Sequence, residues 1–212
     1  MGVQERRERE KQARQDAILE AAREVFFARG LDQTTIDDVA EQAEVSKGTI
    51  YLYFQSKEEL YISVFMDGLD ILAGQLHALR TEFAERQADE LIREIRDIYY
   101  AFYKKYPEYF YSHSLLYHGR IKGKVDPVIW AATHQKTRQC LAVFSEIIQK
   151  GMEDGIFREV DAWQTANSFW GAATGVMMML DDDEHQQMVG ISAKDLLDAT
   201  IEMLIRSVLK KP

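Results

Sequence analysis

Between Asp16 and Phe54 the apolar residues fall into three helical runs so short and so closely joined that few folds can hold them. Ile18, Leu19, Ala22, Val25 and Phe26 recur at helical spacing up to Gly30, which stands where a helix C′ residue belongs. Thr34-Thr35 offers N-cap chemistry for a helix of about two turns carrying Ile36, Val39, Ala40 and Ala43. Glu44-Val45-Ser46 interrupts it, and Ser46 caps a further short helix with Ile50 and Phe54 four residues apart. Ser56-Lys57-Glu58-Glu59 has the form of a capping box and opens a longer helix with Leu60, Val64, Leu69 and Leu72. A helix, a tight turn and a second helix of about eight residues is the arrangement that lets a helix enter the major groove of DNA.

The side chains suit that task. Ile36, Val39, Ala40, Val45, Ile50 and Phe54 supply a buried side that fixes the angle between the two short helices. The outer side of the second is left with Lys47, Gly48, Thr49, Tyr51, Leu52 and Tyr53, flanked by Ser46, Lys57 and, at the first helix, Thr35. Lys47, Thr49, Lys57 and the tyrosine hydroxyls can reach phosphates or base edges, and Gly48 lets backbones approach closely. Leu52 suits a thymine methyl, and the N–H groups at the helix opened by Ser56 favour a phosphate. Spacing alone leaves a second reading open, a surface hairpin whose tyrosines only pack.

Charge gives a mixed signal. The chain carries −9, and residues 1–60 are themselves acidic, with 9 Lys and Arg against 13 Asp and Glu. Whole-chain charge decides little when a small face makes the contact. Residues 45–57 hold Lys47 and Lys57 and no acid, and the arm 1–14 sets Arg6, Arg7, Arg9, Lys11 and Arg14 against Glu5, Glu8 and Glu10.

Further helices are expected over about 60–80, 88–106, 108–118, 128–153, 162–180 and 193–209, punctuated by Pro107, Asp126-Pro127, Gly155, Asp161 and Ser192. With 3 prolines, 12 glycines and no alternating stretch, an all-α chain is expected. The lone cysteine, Cys140, excludes an internal disulfide and suits a reducing cytoplasm. The charged start has no apolar segment of a signal peptide, Arg6 stands where a myristoylation motif wants Ser or Thr, and no run of about 18 apolar residues spans a membrane.

Nine aromatics crowd the nineteen residues from Tyr99 to Tyr117. Tyr99, Phe102, Tyr103, Tyr106, Phe110, His113 and Tyr117 are candidates to line a small-molecule pocket, joined from later helices by Trp130, His134, Trp170 and Met177. Simple core filling explains the same residues equally well. The histidines are too scattered for a metal site, and Asp181-Asp182-Asp183-Glu184-His185 reads as a solvated loop. Arg120, Lys122 and Lys124 read as an exposed loop, and Cys140 as a small buried apolar residue. No nucleophile–base pair or phosphate loop supports catalysis, and no cofactor is expected. Ala166, Trp170 and Ala173, with Gly171 and Gly175 allowing close approach, and the stripe Leu197, Ile201, Leu204, Ile205 and Val208 are candidates for a two-fold dimer interface.

The string from Thr34 to Leu60 closely resembles the N-terminal domain of TetR-type transcriptional regulators. Thr34-Thr35 opens the second helix, Ala40-x-x-Ala43-x-Val45-Ser46-x-Gly48 runs through the turn, and Tyr51-x-Tyr53-Phe54-x-Ser56-Lys57-Glu58-x-Leu60 follows. Upstream, Ile18-Leu19-x-Ala21-Ala22-x-x-Val25-Phe26 and Gly30 fit the first helix, so the likeness covers about residues 15–65. Glu44 departs from it, standing where the family has glycine. The resemblance implies a charged arm (1–14), a helix-turn-helix domain (15–60) and a ligand-binding and dimerisation domain (61–212), about nine helices in all. It also implies a homodimeric repressor of pseudo-palindromic operator DNA, released by a small molecule, which the aromatic-rich stretch suggests is lipophilic or aromatic. By this likeness Thr35, Lys47, Thr49, Tyr51, Tyr53 and Lys57 fall on DNA-contacting positions. The rival readings are a helical small-molecule binding protein whose N-terminal hairpin is only structural, and an enzyme with an aromatic pocket.

Overall fold

Capping chemistry sets most of the helix boundaries in the structure, a computed structural model that describes residues 2–110, 121 and 123–210. The helices are α1 (Val3–Gln33), α2 (Ile36–Gln42), α3 (Lys47–Tyr51), α4 (Lys57–Ala78), α5 (Ala88–Lys105), α6 (Pro127–Glu153), α7 (Ala162–Met179), α8 (Asp183–Val189) and α9 (Ala193–Val208). Among the described residues the only β pairing is one bridge between Phe157 and Leu209, so the chain is all-α as expected. It divides into two compact units, Met1–Gly68 with Glu108–His134, and Leu69–Pro107 with Gln135–Pro212.

In the first unit α1 breaks at Gly30, whose φ of 74° only glycine adopts freely. Thr35 caps α2 in a reciprocal box: its hydroxyl accepts from the Asp38 N–H, and the Asp38 carboxylate accepts from the Thr35 N–H at 2.7 Å. The Thr35 hydroxyl also donates to the Asp38 carboxylate at 2.6 Å, and that bond, with the Thr35 N–H and Arg29, holds the Asp38 carboxyl below its usual range. At α4 Ser56 accepts from the Glu59 N–H at 3.0 Å, while the Glu59 carboxylate reaches one residue further back, to the Gln55 N–H. The core joins Ile18, Ala22 and Phe26 of α1 to Ile36, Val39, Ile50, Phe54 and Leu60, with Phe26 edge-on to Tyr61 at 5.1 Å.

In the second unit α5 and α7 both pack on α9. Leu91, Ile92 and Ile95 of α5, Ala166, Phe169 and Ala173 of α7 and Leu197, Ile201 and Ile205 of α9 are all buried. Charged pairs fasten its edge, Arg93 to Glu202 at 2.5 Å and Arg96 to Asp198 at 3.1 Å. Two expectations change. The arm is helical from Val3 rather than distinct from α1. The acidic run 181–185 is not a loop, because Asp182 accepts from the His185 N–H at 2.7 Å and so caps α8, which ends on Gly190 with φ 73°.

Candidate nucleic-acid interface

The turn between α2 and α3 is closed by backbone geometry of one kind. Val45 N–H bonds the Ala40 carbonyl at 2.9 Å and Glu44 N–H bonds the Glu41 carbonyl at 3.1 Å, the paired bonds of a Schellman motif. Its C′ residue must be left-handed, and Glu44 has φ 52°, the sole positive-φ residue other than glycine among the described residues. This explains why glycine suits the position and what the glutamate costs. Glu44→Gly is expected to stabilise the chain by about 1 kcal/mol, since left-handed backbone costs a non-glycine residue roughly 1–2 kcal/mol and glycine loses some of that gain to entropy. Urea denaturation checks it, and an unchanged or lower midpoint contradicts it.

Ser46 then caps α3, accepting from the Thr49 N–H at 3.1 Å, and its hydroxyl lies 2.8 Å from that of Thr49. Ile50 and Phe54 are 0% and 3% exposed, whereas Tyr51 is 49% and Leu52 80% exposed. The helix therefore has the rotation its spacing predicts. Lys47 and Gly48 are exposed with them, and Thr49 and Tyr53 are half-buried at the margins. A Cβ on Gly48 would meet nothing closer than the Ser46 hydroxyl at 3.7 Å, so the fold does not itself demand glycine there.

Electrostatics separate the two lysines. The exposed Lys47 ammonium donates to Asp37 on α2 at 2.8 Å, which raises its pKa. Such a solvated pair is weak and exchanges readily for a phosphate. Lys57 is different. Its ammonium donates to the carbonyls of Leu31 at 2.7 Å and Thr34 at 2.8 Å, so it ties the end of α1 to the start of α4. Sequence reasoning gave Lys57 a purely external role, and no local signal marks those two acceptors.

The described aromatic candidates divide between the two units. Tyr99, Phe102, Tyr103, Trp170 and Met177 are buried in the second unit. Tyr99 stacks on Trp170 at 4.3 Å, with its hydroxyl 2.9 Å from that of Thr174. The Tyr103 hydroxyl donates to Asp181 at 2.7 Å, and burial together with that carboxylate raises its pKa. Tyr106 is half-buried at the end of α5, 5.5 Å from Phe102. Phe110 is buried in the first unit, where Trp130 meets the exposed His134 edge-on at 4.9 Å. His113 and Tyr117 lie outside the described residues. Between Tyr99, Phe144, Phe169, Trp170 and Ile201 a cavity of about 10 Å³ remains, room for one water, and Arg96 also lines it. The Trp170 indole N–H is buried with no acceptor among the described residues.

The candidate dimer stripes lie mostly inside the chain. Ala166, Trp170, Ala173, Leu197, Ile201, Ile205 and Val208 are all buried within a single chain, and Leu204 is half-buried. An amphipathic stripe fixes which side of a helix is covered but not whether a partner covers it. The apolar side chains left outside on these helices are Met178, Met179 and Met203, beside the open Gly171 and Gly175.

Cys140 is fully buried, and burial pushes its thiol up to about 11, as befits an inert core residue. Lys124 pairs with Glu58 at 3.3 Å, while Arg120 and Lys122 lie outside the described residues. Among the described residues no cluster of three histidines, cysteines or carboxylates could hold a metal, and no helix is long and apolar enough to cross a membrane.

Comparison with known proteins points the same way as the geometry. Residues 18–64 match the family described as bacterial regulatory proteins, tetR family. The HTH-type transcriptional regulator YfiR of Bacillus subtilis is 29% identical over 91% of this chain and 94% of its own length. The HTH-type transcriptional repressor KstR2 of Mycolicibacterium smegmatis is 26% identical over 69% of this chain and 68% of its own. A crystal structure of a bacterial regulatory protein in the tetR family from Rhodococcus RHA1 superposes with a TM-score of 0.72 at 20% identity, covering 94% of this chain and 98% of that one. Residues 18–64 thus carry the sequence pattern of the tetR family of bacterial regulatory proteins, and the chain as a whole shares the fold of a solved member.

Proposed function

We propose that the chain is a repressor that binds pseudo-palindromic operator DNA as a homodimer through α3 and is released by a small lipophilic or aromatic molecule taken up in the second unit. The observation that carries this reading is the rotation of α3: Ile50 and Phe54 are locked inside while Tyr51 and Leu52 stand in solvent beside Lys47. Water gives an exposed leucine nothing, and a thymine methyl gives it an apolar partner. Two copies are needed because two half-sites turn a short helix into a specific reader. Gly171 and Gly175 on α7 and Met203 on α9 are exposed among the described residues, which supports a dimer through these two helices.

The small cavity beside Trp170 admits one water, so an effector seated there needs its walls to part. An effector lowers DNA affinity only as far as it favours the opened conformation over the closed one. The Trp170 N–H is a donor ready for an acceptor on such a molecule.

Leu52→Ser tests the DNA reading. Binding to the preferred duplex should weaken by about 1–3 kcal/mol, the range for losing one base contact, while binding to random duplex and the melting temperature barely move. Equal losses on both duplexes would place Leu52 outside sequence readout.

A further inference from the structure

The segment that holds α2, the turn and α3 runs from Thr34 to Lys57, and one side chain draws its two ends together. The Lys57 ammonium donates to the Thr34 carbonyl at 2.8 Å across 23 residues of chain. It donates also to the Leu31 carbonyl at 2.7 Å, in the short stretch of α1 beyond its break at Gly30. Both anchor points are fixed. Thr34 is 1% exposed, and its hydroxyl donates to the Gly30 carbonyl at 2.8 Å. Lys57 follows the Ser56 cap directly and opens α4, whose Leu60, Tyr61 and Ile62 are buried.

Charge explains why this lysine turns inward. A cation opposes the macrodipole at a helix N-terminus and complements it at a C-terminus. Lys57 is the first residue of α4, and Thr34 is the C-cap of α1. Its own helix therefore disfavours the ammonium, while the carbonyls at the end of α1 attract it. Two of its three donors are engaged there, and it makes no ion pair among the described residues. Lys47 is the opposite case, exposed and paired with the solvated Asp37 carboxylate.

We propose that Lys57 is a positioning residue, a clasp that sets the angle at which α3 meets the bases, and not a phosphate contact. This rests on the DNA-binding reading above. With seven and five residues, α2 and α3 are too short to hold a direction alone. Thr34 immediately precedes the Thr35 cap that starts α2, and α3 rejoins α4 through residues 52–56. Tying Thr34 to Lys57 therefore fixes both ends of the hairpin against α4. The buried Ile36, Val39, Ile50 and Phe54 keep the hairpin folded without the clasp, but its angle loosens. Hydrogen bonds to base edges need close distance and alignment, whereas phosphate contacts carry no sequence information. Loss of the clasp thus lowers discrimination between duplexes and leaves the salt dependence alone. Loss of Lys47 does the reverse.

The test has two arms, and the first needs no variant. Acetylation rates of individual lysines in the full chain are read by mass spectrometry, with and without a duplex from upstream of its own gene. Lys57 should react about tenfold or more slowly than Lys47 in the free chain, as two hydrogen bonds to a charged group imply. The duplex should protect Lys47 and leave Lys57 unchanged. Equal rates in the free chain, or protection of Lys57 only on DNA, overturns the inference. The second arm compares Lys57→Met, Lys57→Arg and Lys47→Gln on the upstream and a random duplex over a salt series, well below each melting temperature. Lys57→Met should reduce the ratio of the two affinities about tenfold or more, the scale of a lost base contact, at a parental log–log salt slope. Lys57→Arg should recover most of the ratio, since a guanidinium can donate to the same carbonyls. Lys47→Gln should flatten the slope by about one per subunit. A flattened slope with equal losses on both duplexes in Lys57→Met makes Lys57 a phosphate contact and overturns the inference. A lowered melting temperature with a parental ratio makes its role one of stability alone and overturns it too. A parent chain that does not distinguish the duplexes overturns this inference together with the DNA-binding reading, whereas the other failures leave that reading intact.

Discussion

Phe54→Ala is expected to lower the unfolding free energy by about 3–5 kcal/mol and to abolish DNA binding outright. Phe54 is 3% exposed, and its N–H closes the end of α3 on the Ile50 carbonyl at 3.0 Å. The ring and Ile50 are the two inner anchors of a helix only five residues long, which cannot hold its shape alone. A domain with a total stability of about 5–15 kcal/mol has little left after such a loss. Denaturant unfolding followed by circular dichroism measures it. Leu52→Ser, two residues away and 80% exposed, is the contrast that should leave the same curve nearly unmoved. Similar curves for Phe54→Ala and the parent would mean that α3 is rotated and that the outward set is wrong.

Trp170→Ala is the second large effect, about 3–5 kcal/mol, from the loss of the ring stacked on Tyr99. Trp170→Phe should cost much less, because it keeps an aromatic ring and deletes an N–H left without an acceptor, itself a penalty of about 1–3 kcal/mol. Trp170 belongs to the interior of one chain, so the loss should be independent of protein concentration, which a dimer-interface loss would not be. Met203→Arg, at a side chain 66% exposed, should do the opposite, leaving the fold intact and giving monomers in sedimentation. A concentration-dependent loss in Trp170→Ala, with Met203→Arg still dimeric, would return the interface to the buried stripe.

What could be seen in the sequence was mostly local. Thr35, Ser46, Ser56, Asp161 and Ser192 each accept the backbone N–H three residues on, because capping needs only neighbours in the chain. The inward pair Ile50 and Phe54 was legible for the same reason, since four residues bring side chains to one face. Relations at a distance were not. Lys57 finds its acceptors 26 and 23 residues away, and no pattern announces a pairing of side chain with remote carbonyl. Helix α8 buries none of its residues, so the periodicity that betrays other helices is missing and only the Asp182 cap marks it. The aromatic run was legible as a concentration of rings. That Tyr99, Phe102 and Tyr103 serve one unit while Phe110 serves the other follows from the chain's path at Pro107, which composition does not encode.

The central claim is that α3 reads DNA sequence from a folded helix-turn-helix. Its most direct test is fluorescence anisotropy of the full chain against the duplex upstream of its own gene and a random duplex, both over a salt series. The account predicts tighter binding to the upstream duplex by a factor of about 10³ or more, with both affinities falling steeply as salt rises. Equal affinity for the two duplexes, or binding indifferent to salt, would contradict it.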